Sequence, residues 1–159
     1  MSTTQAQAEG ISTATYEGVL GWLLVLCLTL TFAYPAATLY QIFTHTIPGL
    51  LNAHDLKRAV LFGVYAALFL SVTAFSVVAG IRLWLIKPGA VKLAKRWLLT
   101  FLCAHLAYFV FWILLMRDTR PLGLAEMGWH HVAGPLPSFF LWTVYLEHSK
   151  RVRATYPME

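Results

Sequence analysis

The apolar residues of this chain come in long unbroken blocks, not at the spacing of an amphipathic helix or strand. Residues 19–43 contain no Asp, Glu, Lys or Arg, and neither do residues 59–81, 97–116 and 127–146. A helix needs about 20 apolar residues to cross the hydrocarbon core of a bilayer. Four such blocks predict an all-α, polytopic membrane protein built as a four-transmembrane-helix bundle. The expected organisation is a flexible tail over residues 1–17, rich in Ser, Thr, Gln and Ala, a four-helix membrane domain over residues 18–149, and a basic tail over residues 150–159.

Prolines and glycines punctuate the blocks. Pro35 falls late in the first predicted helix, residues 18–43, where it removes a backbone hydrogen bond and predicts a kink after about Thr31. Thr31 is expected to back-bond the freed carbonyl. Pro48-Gly49 reads as a turn inside a first loop over residues 44–58, with Asn52 or Asp55 capping the next helix. The second helix is expected over residues 57–86. On it Gly63, Ala67 and Ser71 recur every four residues, the spacing that lets two helix backbones approach closely in a membrane. Pro88-Gly89 marks the second turn. The third helix is expected over residues 93–116. A third loop follows over residues 117–128, with a surface-lying stretch over residues 122–127. Gly134-Pro135-Leu136-Pro137 interrupts the fourth block, so its helix is expected to begin near Pro135 and run past Leu146.

Composition sharpens the class. Hydrophobic residues make up 58% and charged residues 12% of the 159 residues, about half the charge of an ordinary soluble domain. The net charge of +5 does not point to nucleic acid, because the cations sit at the ends of the apolar blocks, within reach of lipid headgroups. Arg82, Lys87, Lys92, Lys95, Arg96, Lys150, Arg151 and Arg153 fall on one side, against Lys57, Arg58, Arg117 and Arg120 on the other. That bias predicts both termini in the cytoplasm. The N-terminal residues carry no cationic region and the first block is too long for a cleavable signal, so the first helix is expected to act as signal and anchor. Lys150, Arg151 and Arg153 are candidate contacts to anionic lipid headgroups.

Candidate chemistry is sparse. No carboxylate or ammonium lies deep in a predicted helix, and that weighs against an ion-coupled transporter or proton pump. His105 is the only ionisable candidate at depth. It shares a helix face with Tyr108 and Trp112. One reading makes it an axial ligand to haem or a magnesium ligand to a chlorophyll; the other makes it a neutral, hydrogen-bonded residue within a packed interior. His45, His54, His130 and His131 lie toward the opposite side with Asp55, Asp118 and Glu126, in no metal-site spacing. Cys27 and Cys103 read as buried hydrophobes. No nucleophile stands with a His, and no Gly-rich phosphate loop is present. The chain is expected not to be an enzyme.

Gly21-Trp22-Leu23-Leu24 at the start of the first helix, Pro35 later in it, and Trp142, Tyr145 and the string Ser149-Lys150-Arg151-Val152-Arg153-Ala154-Thr155-Tyr156 resemble a bacterial inner-membrane family catalogued as domain of unknown function 2569. Val144 departs from that pattern, where members often carry Pro. Glu147 and His148 are also more polar than the family's usual residues. The resemblance implies a four-helix topology in a bacterial cytoplasmic membrane and no particular activity.

The leading functional expectation is a non-catalytic structural, accessory or assembly subunit of a larger membrane complex. Its partners would be the lipid bilayer and other membrane subunits, with no cofactor. The alternatives are a haem- or chlorophyll-binding subunit using His105 or the external histidines, and a small oligomeric transporter.

Overall fold

The computed structural model describes residues 19–116 and 132–156. All regular structure among them is helical. The tail over residues 1–17, the third loop with its surface stretch, and His130, His131, Asp118 and Glu126 lie outside the described residues.

Among the described residues three helices are long and apolar enough to cross a membrane: α1 (Trp22–Leu51), α2 (Leu56–Trp84) and α3 (Ala90–Met116). The protein is therefore a helical membrane protein. A shorter helix, α4 (Pro135–His148), begins at the expected proline and has 14 residues. At 1.5 Å per residue it is about 21 Å long, against a hydrocarbon core of ~30 Å. Among the described residues three helices are thus of spanning length, and the expected fourth is the short α4, which follows residues 117–131 outside the described residues. A six-residue helix, α5 (Lys150–Thr155), closes the described chain.

The first loop is much shorter than expected. α1 runs through Pro48-Gly49 without turning and ends at Leu51, so only residues 52–55 connect it to α2. Two π-helical segments, Thr29–Ala33 and Ile42–Thr46, make this possible. Each ends just ahead of a proline. Tyr34, before Pro35, donates its N–H to the Thr29 carbonyl, and Ile47, before Pro48, donates to that of Ile42. These bonds reach five residues back instead of four. The wider turn relieves the clash between the proline ring and the carbonyl four residues earlier, so the helix passes through both prolines.

Asp55 caps α2 by accepting from the Lys57 N–H at 3.2 Å. Asn52 instead donates to the Pro48 carbonyl at the end of α1. The turn after α2 uses two left-handed residues, Ile86 (φ 47°) and Gly89 (φ 77°).

α1 packs on α2, α2 on α3 and α3 on α4. The main core joins Leu23, Leu26 and Leu30 of α1 to Ala79 and Leu83 of α2 and to Ala94 and Leu98 of α3. A smaller cluster around Leu61, Phe69 and Tyr108 fills the other end. Cys27 is fully buried, as expected, whereas Cys103 is exposed.

Candidate functional site

Three places hold the residues singled out in the sequence: the α1–α2 seam, the ring cluster around His105, and the basic end of the bundle.

At the seam, the bond from Tyr34 to Thr29 skips the Leu30 carbonyl. In an α-helix that carbonyl would accept from Tyr34; in a π-turn its donor would be residue 35, a proline without an N–H. Ser76 of α2 takes the place of both, donating its hydroxyl to Leu30 O at 2.7 Å. Thr31 was expected to satisfy the freed carbonyl. Its hydroxyl is buried against Gly80 and makes no hydrogen bond among the described residues. The Tyr34 and Thr73 hydroxyls are buried beside one another at the same seam.

Close helix approach occurs here, and not at Gly63, Ala67 and Ser71. A Cβ on Gly80 would meet the Thr31 hydroxyl, and would lie 3.1 Å from the Leu30 Cβ and 3.1 Å from the Thr31 backbone nitrogen. A Cβ on Gly63 would meet nothing within 4 Å. Ala67 and Ser71 are exposed, and Ser71 donates to its own helix at Ala67 O. α2 therefore carries two small-residue faces, one closed on α1 and one open.

His105 sits between two rings, 4.4 Å from the centre of Phe101 and 4.7 Å from that of Phe69. Its Nδ1 lies 2.8 Å from the Phe101 carbonyl one turn earlier. A carbonyl only accepts, so Nδ1 carries the proton. The imidazole thus bonds to its own helix. Tyr65 and Tyr108 extend the ring contacts beyond Phe69, and Tyr65 donates to Gln41 Oε1 of α1 at 2.7 Å. On the other side Phe101 stacks on Trp97, whose indole N–H donates to Val72 O of α2 at 3.1 Å. The three elements are laced by side chains that are mostly aromatic. No group of three or more His, Cys, Asp or Glu able to hold a metal occurs among the described residues.

At the basic end, the string over residues 149–156 is ordered. Ser149 caps α5 by accepting from the Val152 N–H. Val152 and Tyr156 are buried in the main core. The Tyr156 hydroxyl donates to Leu83 O at 2.6 Å, satisfying a carbonyl in the last turn of α2. α5 also separates the three candidate headgroup cations. Arg153 donates to His148 O and lines a groove of about 370 Å³ with Lys92, Lys95 and Glu147, where Lys95 and Glu147 pair at 3.2 Å. Lys150 and Arg151 line a second groove, of about 290 Å³, with Gly21, Trp22, Tyr145 and Ser149. This use of the C-terminal string, through a serine cap and a tyrosine hydroxyl, went unread in the sequence; the Ser-x-x-Val spacing before the basic run was the available signal.

Comparison with known proteins found no matching family model, no matching curated protein and no matching solved structure.

Proposed function

We propose that this protein is a non-catalytic structural or accessory subunit of a larger complex in the cytoplasmic membrane of a bacterium, with both termini in the cytoplasm. One observation carries the reading: the open small-residue face of α2. A glycine in a helix interior costs about 1 kcal/mol relative to alanine, and a Cβ on Gly63 would meet nothing within 4 Å among the described residues. A face of Gly63, Ala67 and Ser71 admits the backbone of another helix at close range. Placement in the family catalogued as domain of unknown function 2569 belongs to the same proposal and rests on the residues of the two chain ends quoted above.

The test is isolation in mild detergent and identification of co-purifying membrane chains. Gly63→Leu with Ala67→Leu is expected to release the partner while leaving the thermal stability of the isolated protein unchanged. Val110→Leu, on an exposed position of α3, is expected to release nothing. Equal retention in all forms would mean that the α2 face meets only lipid. Reporter fusions at Gly89 and after Glu159 are expected to read cytoplasm, and a fusion at Ala53 the opposite side.

A further inference from the structure

The two grooves beside α5 differ in charge balance. In the larger one a carboxylate answers the cations, with Glu147 against Lys95 and a backbone carbonyl on Arg153. In the smaller one no acidic residue among the described residues lines Lys150 and Arg151. Its remaining walls are a glycine backbone, a serine and two amphipathic rings. Gly21 has φ +61°, and the Arg151 guanidinium lies against it, with Nη1 3.7 Å from where a Cβ would stand. Trp22 is 65% exposed beside the groove. It meets Trp142 edge-on at 6.4 Å, and Trp142 meets Tyr145 at 6.0 Å. Trp and Tyr at the end of a membrane helix settle at headgroup level, with the ring toward the chains and the polar atom toward water. The groove therefore has an aromatic rim suited to the membrane interface and two cations at the depth of lipid phosphates, with no carboxylate among its described lining residues.

We infer that this groove binds the headgroup phosphate of one anionic phospholipid. Lys150 supplies a point charge and Arg151 a planar fork suited to two phosphate oxygens. Trp22 and Tyr145 flank the glycerol region. The site is local and shaped, unlike the diffuse attraction that any cation near an anionic membrane provides, and this difference makes it testable independently of any partner subunit.

The full-length protein is placed in nanodiscs of equal phosphatidylcholine and phosphatidylglycerol, and the lipid that stays bound on release is counted by native mass spectrometry. The wild type is expected to retain one phosphatidylglycerol in preference to phosphatidylcholine. Lys150→Gln with Arg151→Gln is expected to cut that retention about tenfold, from the loss of two headgroup charges. Lys150→Arg with Arg151→Lys, which preserves charge and guards against a folding defect, is expected to keep most of it. Arg82→Gln with Lys87→Gln removes the same charge from the same end of the bundle outside the groove, and is expected to leave retention unchanged. An equal loss in both Gln pairs would reduce the effect to general electrostatics and overturn the site. Displacement of the lipid by excess inorganic phosphate would assign the groove to a free anion and overturn the lipid.

Discussion

The Ser76 hydroxyl of α2 holds a carbonyl of α1, that of Leu30, for which neither an α-turn nor a π-turn leaves a donor. Proline, π-turn and serine form one device, and the first prediction tests it. Ser76→Ala strands a buried carbonyl and is expected to cost about 1–2 kcal/mol in a reversible unfolding assay in detergent. Pro35→Ala restores an N–H at the position that a π-turn would use. In that background the cost of Ser76→Ala is expected to shrink. An unchanged penalty in the double-mutant cycle would break the link between Pro35 and Ser76.

The two glycines of α2 are expected to respond differently to the same substitution. Gly80→Leu drives a side chain into Leu30 and Thr31 of α1 and is expected to destabilise the isolated protein by about 1–3 kcal/mol. Gly63→Leu projects into open space and is expected to leave the isolated protein as stable or slightly more so. Thermal denaturation of the two variants side by side decides this.

Much of this arrangement was legible beforehand. Charge-free blocks of bilayer length located α2 and α3, Asp55 and Pro88-Gly89 marked their ends, and Pro135 marked the start of α4. What escaped were matters of partner choice. Ser76 and Gly80 have the same four-residue spacing as Gly63 and Ala67, and nothing in the spacing tells which pair meets a helix of its own chain. Pro48-Gly49 has the composition of a turn, and only the π-turn ahead of it keeps α1 helical. Lys150, Arg151 and Arg153 read as one basic run, because their separation into two grooves depends on α5 being a helix capped by Ser149.

His105 tests whether the ring cluster is structural. His105→Gln retains a donor and an acceptor and is expected to stay within about 1 kcal/mol of the wild type. His105→Ala also loses the contacts with Phe69 and Phe101 and is expected to cost about 2 kcal/mol or more. The mildly solubilised protein is expected to show no visible absorption band. A haem or chlorophyll band lost in both variants would reverse this and make the imidazole a ligand.

Tyr156→Phe removes one oxygen and leaves the ring in place. The Leu83 carbonyl then keeps only the Ile86 N–H at 3.2 Å, and the expected cost is about 1 kcal/mol. Limited proteolysis after Lys150 and Arg151 is expected to quicken in parallel. Unchanged cleavage would show that α5 is held by Val152 alone.

The same contact sets an order of events during synthesis. Tyr156 lies 73 residues beyond Leu83. A ribosome adds about 5–20 residues per second, so the end of α2 waits roughly 4–15 seconds after it is made before its closing residue exists. Through that interval the nascent bundle stands unlatched at its basic end. The stretch that locks it emerges well after the helix it closes, so completion of the fold doubles as a check that translation has run through Tyr156.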